Sequence, residues 1–183
     1  LKNIKKNLKE FNKKKYLIIL EPVKKNTAPA ILSAALLNEV PKKQPLMFLA
    51  ADHLIEKNNL LVKSINKNIN FLTNENIFIF GVKPLSPASE YGYFITKKIN
   101  KNILKVTKFI EKPSIKKAKT IIKKKGYWNS GMFLIRKDSI LNNYKKFQPS
   151  IYKNCLKSVV KSKRKKNIYT LNKTFYSKTN NKS

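Results

Sequence analysis

Apolar positions along the chain alternate between short β-rich runs and stretches at helical spacing. YLIIL (16–20) predicts a buried strand. PAILSAALLNEV (29–40) sets Ile31, Leu32, Ala35 and Leu36 on one helical face, with Asn26 or Thr27 as N-cap and Pro29 near the first turn. PLMFLA (45–50) predicts a second strand that ends at Ala51, Asp52 and His53. LLVKSINKNINFL (60–72) reads as a helix and NIFIFGV (76–82) as a third core strand. The order strand, helix, strand, helix, strand predicts right-handed crossovers and an α/β fold, its mostly parallel central sheet flanked by helices.

After Pro84 the pattern changes. LSPASEYGYF (85–94) is turn-rich, and 95–113 reads as two extended pieces around Asn100-Lys101-Asn102, a small antiparallel insertion. Ser114 then caps a helix carrying Ile115, Ala118, Ile121 and Ile122, stopped by Gly126. GMFLIR (131–136) is a further core strand, and 138–147 and 149–163 are helical. Beyond Arg164 the signal fades. With no repeat and no linker, one partial domain over 1–183 is the expected count.

Composition changes this picture little. No run of about 18 apolar residues predicts a membrane span, and the basic start LKNIKKNLKEFNKKK lacks the apolar core of a signal peptide. A single cysteine, Cys155, excludes an internal disulfide and fits a reducing cytoplasm, where it reads as a small buried apolar residue. The 41 Lys and Arg against 9 Asp and Glu leave a net charge of +32, which raises a nucleic-acid partner. Only Arg136 and Arg164 are arginine, however, and bidentate base recognition favours Arg. Lysines scattered among Asn and Ile also follow from A/T-rich codons alone, or supply a basic field for anionic small substrates.

Candidate chemistry gathers at strand ends, where open α/β sheets bind ligands. Glu21 follows YLIIL, Asp52 follows PLMFLA, and Glu111 and Lys112 follow VTKFI, whereas Asn129 stands just before its strand. A carboxylate leaving a buried strand is costly unless paired, so Glu21 implies donors supplied by a ligand. Asp52 suits a hard divalent cation, although a lone aspartate at a strand end is a weak signal and more often a turn or cap residue. His53, the one histidine, makes no zinc site by itself. Tyr91-Gly92-Tyr93 fits an ordinary turn. With no nucleophile elbow, Walker loop or closely spaced carboxylate pair, the chain suits a transfer in which the substrate brings its own nucleophile.

Five motifs in series, EPVKKNTAPA, FLAADH, FGVKPLSPASEYGYF, FIEKP and WNSGMFLIR, give the chain over residues 16–175 a specific likeness. It resembles the mannose-1-phosphate guanylyltransferases, sugar-nucleotide pyrophosphorylases with a glycosyltransferase-A-like, Rossmann-like nucleotidyltransferase fold. The resemblance implies transfer of GMP from GTP to mannose 1-phosphate, yielding GDP-mannose and pyrophosphate. It implies Mg2+ held by Asp52, Lys112 at the sugar phosphate, and Glu111, Asn129 and the Gly92 backbone at sugar hydroxyls. Glu21, with Asn26 and Thr27 beside it, would then face guanine, whose N1–H and N2–H2 are two parallel donors.

Two departures stand out: the family's N-terminal glycine-rich loop and a later metal-binding aspartate both fall outside the 183 residues, so the chain alone is expected to be inactive and marginally folded. Ala50 stands where the family usually has Pro. A pyrophosphorylase for another hexose 1-phosphate and nucleotide, a basic nucleic-acid-binding protein and a nonfunctional gene product stay open beside this reading. So do a homo-oligomer and a following isomerase domain.

Overall fold

A computed structural model describes residues 16–99 and 103–180. The Asn100-Lys101-Asn102 turn lies outside the described residues. The chain divides into two compact units, Leu1–Val40 with Leu141–Ser183, and Pro41–Ile140.

In the first unit, β1 (Ile18–Leu20) pairs in parallel with β8 (Ile168–Thr170), which pairs antiparallel with β7 (Lys163–Lys165). Among the described residues β1 sits at the edge of this sheet, and of the apolar run at 16–20 only Ile18 is buried. Helix α1 (Thr27–Ala35) buries Ala28, Pro29, Leu32, Ser33 and Ala35. It packs on α5 (Pro149–Val160), where Ile151, Cys155 and Ser158 are buried. Tyr144 donates its hydroxyl to the Ala28 carbonyl at 3.0 Å. Desolvation raises the Cys155 thiol to about 11, which makes it the inert, buried residue that the sequence predicts. The short α6 (Lys173–Tyr176) closes the unit. β7, β8 and α6 are the elements that the fading pattern beyond Arg164 failed to predict.

The second unit is built around the ten-residue β6 (Tyr127–Arg136). β2 (Pro45–Phe48) and β3 (Phe78–Val82) both pair antiparallel with it, and Phe133 and Leu134 have partners in both strands. Helix α2 (Asn58–Asn68) connects the two. β4 (Tyr93–Lys98) and β5 (Leu104–Ile110) form the antiparallel pair expected for 95–113, and β4 joins β6 through Tyr93 and Phe94. The expected mostly parallel sheet is therefore corrected: every pair in this sheet is antiparallel. The reason is an intercalated strand. β2 and β3 do run in the same direction, as a strand-helix-strand unit requires, but β6 lies between them and runs the opposite way. Alternating apolar runs report that a strand is buried; they do not report which strand becomes its neighbour.

Helix α3 (Ile115–Lys123) begins where predicted, with the Ser114 hydroxyl accepting from Lys117 N–H at 3.4 Å. Its Ala118 and Ile121 pack with Tyr93 and Ile110 in a small core flanked by Ile95, Ile122 and Trp128. The helix ends in a Schellman motif: Gly126 N–H donates to Ile121 O at 3.0 Å and Lys125 N–H to Ile122 O at 2.9 Å. The left-handed position in that motif belongs to Lys125, with φ 56°, and not to the glycine beside it. Lys125→Gly should therefore stabilise the protein by about 0.5–1 kcal/mol, read as a raised urea midpoint; an unchanged or lowered midpoint would contradict this.

Helix α4 (Lys137–Phe147) starts at an ion pair. Arg136 Nε donates to Asp138 Oδ1 at 3.0 Å, its Nη2 donates to Oδ2, and Ser139 N–H donates to Oδ1 at 2.9 Å. The Arg136 hydrogen bonds hold the Asp138 carboxyl below its ordinary range. A depressed carboxylate contributes stability above its unfolded pKa, near 4, and loses it as pH falls through the folded value. Asp138→Asn should thus destabilise at pH 7 and cost progressively less as pH is lowered below 4, as measured by urea unfolding across that range; a cost independent of pH would contradict this. No helix among the described residues is long and apolar enough to cross a membrane.

Candidate active site

Five of the candidate residues belong to the second unit, and three of them meet at the mouth of the β4–β5 pair. Tyr93 is paired with Ile110 on one side and with Trp128 on the other, so the preceding residue, Gly92, stands between Glu111 and Asn129. Asn129 N–H donates to Gly92 O at 2.8 Å. A Cβ at Gly92 would come within 2.9 Å of Glu111 Oε2 and of Phe109 Cζ, so the glycine makes room for the carboxylate to lie over the backbone. Exposed rings flank this spot: Tyr91 and Phe109 each leave 49% of their surface open. Tyr91 also contacts Trp128, with ring centroids 5.0 Å apart.

Asn129 is not ahead of its strand as expected but inside β6, because Trp128 and Asn129 already pair with Val82 and Gly81. The register then shifts between Ile79 and Gly81, and the extra residues form a bulge at 130–132. Ser130 holds it, donating its hydroxyl to Phe80 O at 2.7 Å and accepting from Met132 N–H at 3.1 Å, while Gly131 adopts φ 73°. Gly131 N–H donates to Asn129 Oδ1 at 3.2 Å. That bond fixes the amide and leaves its NH2 group as the donor face.

Lys112 follows Glu111 directly and is exposed. Its φ is 39°, a left-handed conformation for a side-chain-bearing residue, and it precedes Pro113, which disfavours helical conformations in its neighbour. Strain of this kind persists only where the surroundings impose it, and it gathers at functional positions. Asp52 is exposed on the turn after β2 and makes no hydrogen bond or ion pair among the described residues. β2 leaves the sheet at Phe48, opposite Phe133, heading in the direction in which β6 leads back to Asn129.

Glu21, Asn26 and Thr27 belong to the first unit. Asn26 holds the N-cap position of α1 with extended backbone, but its side chain makes no cap bond, and Thr27 opens the helix. Glu21 differs from expectation. It is exposed, and its Oε1 accepts a hydrogen bond from the Tyr176 hydroxyl, so one donor comes from the protein itself. The sequence offered no signal for Tyr176, which lies 155 positions away on an element that its own pattern does not predict. The Ser130 bulge was equally hidden, although an Asn-Ser-Gly run inside an apolar strand is a bulge signal.

A family profile described as nucleotidyl transferase matches residues 1–174, and the chain belongs to that family. Its relatives carry more particular names. It is 40% identical over 157 residues to a mannose-1-phosphate guanylyltransferase of Salmonella muenchen, covering 83% of this chain and 33% of that protein. To the alginate biosynthesis protein AlgA of Pseudomonas fluorescens it is 34% identical over 161 residues, covering 84% and 33%. The chain thus spans about a third of the length of the curated relatives it matches. A crystal structure of mannose-6-phosphate isomerase from Helicobacter pylori is similar with a TM-score of 0.81 and 31% identity, over 97% of this chain and 69% of that one. The mannose-1-phosphate geranyltransferase of Thermus thermophilus, at TM-score 0.73 and 22% identity over 88% and 46%, shares the fold.

Proposed function

We propose that the full-length product of this gene transfers GMP from GTP to mannose 1-phosphate, giving GDP-mannose and pyrophosphate. The observation that carries the reading is the grouping of Glu111, Gly92 and Asn129 at one sheet end, with Lys112 strained beside it. The names of the guanylyltransferase relatives supply the particular substrates. The two units are read as parts of one partial nucleotidyltransferase domain, since the family profile runs through both.

In the reaction a phosphate oxygen of mannose 1-phosphate attacks the α-phosphorus of GTP, the bond from that phosphorus to the bridging oxygen breaks, and pyrophosphate leaves. No protein nucleophile is needed, so the residues act by positioning and by charge. The Glu111 carboxylate accepts from sugar hydroxyls and the Asn129 NH2 donates to them. Gly92 O is occupied by Asn129 N–H, so the Gly92 contribution falls to its own N–H. Lys112 places positive charge at the sugar phosphate, where the attacking oxygen approaches. On the nucleotide side Glu21 accepts from guanine N1–H and N2–H2, with Asn26 and Thr27 at the adjoining helix start. An adenine would offer that carboxylate one donor, N6–H2, and set its other oxygen against the N1 lone pair.

Asp52 fits Mg2+ by the chemistry of its donors. It is an exposed carboxylate with hard oxygen ligands, and no cluster of three or more His, Cys, Asp or Glu able to cage a metal lies among the described residues. A single carboxylate matches a cation that keeps its waters and is shared with substrate phosphates. Held by Asp52, Mg2+ would supply positive charge that lowers the repulsion between two polyanions and steadies the leaving pyrophosphate.

Both arginines are committed to ion pairs, Arg136 with Asp138 and Arg164 with Glu39, which favours small anionic substrates over a nucleic acid as the partner of this basic chain. The cytoplasm, which keeps the free Cys155 thiol reduced, is the expected compartment. Product analysis across several NTP and hexose 1-phosphate pairs tests the proposal. GTP with mannose 1-phosphate should turn over fastest; faster turnover of a UTP or dTTP pair with glucose 1-phosphate would replace it with a different pyrophosphorylase.

A further inference from the structure

Glu21 stands at the exit of β1 as an exposed carboxylate on a side chain with three rotatable bonds. Left free, such a group samples many orientations, and fixing it at the moment of binding costs affinity. The structure fixes it beforehand. Tyr176 is completely buried, and its hydroxyl donates to Glu21 Oε1. A series of bonds holds the ring in place. Leu171 N–H donates to Leu20 O at 3.1 Å, tying the exit of β8 to the exit of β1. Asn172 N–H then donates to Ser158 O at 3.2 Å while the Ser158 hydroxyl donates to Asn172 O at 2.9 Å, anchoring the start of α6 on α5. The buried Thr179 hydroxyl donates to Tyr176 O at 2.7 Å beyond the last turn.

We propose that Tyr176 is a positioning residue for nucleotide selection: by binding Oε1 it locks the Glu21 carboxylate in one orientation, with Oε2 and the remaining lone pair of Oε1 presented to the paired N1–H and N2–H2 donors of guanine. The inference rests on the reading of Glu21 as the base-recognising carboxylate. Burial first, and then the bond to Glu21, push the Tyr176 phenol well above its ordinary range, so it remains a donor throughout the working pH range. A donor that never titrates holds a constant geometry. The chemistry of the arrangement also singles out the 2-amino group: a carboxylate free to rotate satisfies one donor in many poses, but two parallel donors in few.

The test measures GTP against ITP, which keeps N1–H and lacks the 2-amino group, in the full-length gene product. Tyr176→Phe removes one oxygen and keeps the ring that fills the core. It should raise KM for GTP about five- to tenfold with kcat within about twofold, and shrink the GTP:ITP ratio of kcat/KM by a similar factor. Glu21→Gln should abolish the preference, because the amide offers one acceptor only, and the double variant Glu21→Gln/Tyr176→Phe should lose nothing further. Equal rises in KM for both nucleotides in Tyr176→Phe would mark a general disturbance and overturn the inference. A preserved GTP:ITP ratio in Tyr176→Phe, beside a lost one in Glu21→Gln, would overturn the positioning role and leave the base reading standing. A preserved ratio in Glu21→Gln would overturn both.

Discussion

Lys112→Ala is expected to cut kcat/KM about 10²- to 10³-fold, the loss typical of removing one preorganised charge from a developing phosphoryl transfer, with no loss of folding stability. The stability half of that result is the more telling. Lys112 is exposed, so its side chain contributes little to the core, and its backbone sits at φ 39° ahead of Pro113. Glycine meets no steric penalty there. Lys112→Gly should therefore gain about 1 kcal/mol of stability while losing activity to the same extent as alanine. A residue that weakens the fold and strengthens catalysis is what a strained functional position means. If Lys112→Gly were as active as the parent, or if it were less stable, the lysine would be one more solvated cation among many. Steady-state kinetics and urea unfolding on the same two variants decide it.

The largest effect on folding is expected at Gly126. A Cβ placed there would meet Ile121 Cγ2 at 2.3 Å and Ile121 O at 3.0 Å. Ile121 is buried at 3% exposure in the core beneath β4 and β5, and its β-branched side chain has few alternative rotamers in a helix. Relief must come from moving the helix end itself, so Gly126→Ala should cost about 2–3 kcal/mol. Gly92 makes a useful contrast. The atoms its Cβ would meet are the far ends of Glu111 and Phe109, which swing aside at little cost. Gly92→Ala should therefore spare stability and raise KM for the sugar phosphate by displacing the Glu111 carboxylate. Urea midpoints of the two variants check the pair of expectations, and equal destabilisation would contradict them.

Ahead of β7 the positions of the elements were legible because their signals are local. Ser114 capped its helix as predicted, and the runs at 45–50 and 76–82 became strands. Strand neighbours were not legible, since β6 separates β2 from β3 and nothing in either run records what pairs beside it. The stop after α3 was placed correctly for a different reason: Gly126 serves close approach to Ile121, while Lys125 takes the left-handed turn. Of the candidate residues, Glu111 and Lys112 stood out because a Glu-Lys-Pro sequence after an apolar run is an odd way to end a strand. Gly92 and Asn129 were singled out through motif likeness, and the hydrogen bond that joins them depends on a register that sequence alone does not carry. Tyr176 illustrates the limit. Its partner Glu21 was recognised as a carboxylate in need of donors, yet the donor arrives from a short helix beyond the last clear apolar period.

The central claim is that a sugar phosphate, and no group of the protein, attacks the α-phosphorus of GTP. Stereochemistry at that phosphorus tests it directly, with the full-length gene product, mannose 1-phosphate, Mg2+ and GTPαS of one configuration at the α-phosphorus. A single displacement should invert that configuration in the nucleotide-sugar product. Retained configuration, the mark of two displacements through a protein nucleophile, or pyrophosphate released in the absence of mannose 1-phosphate, would contradict the account.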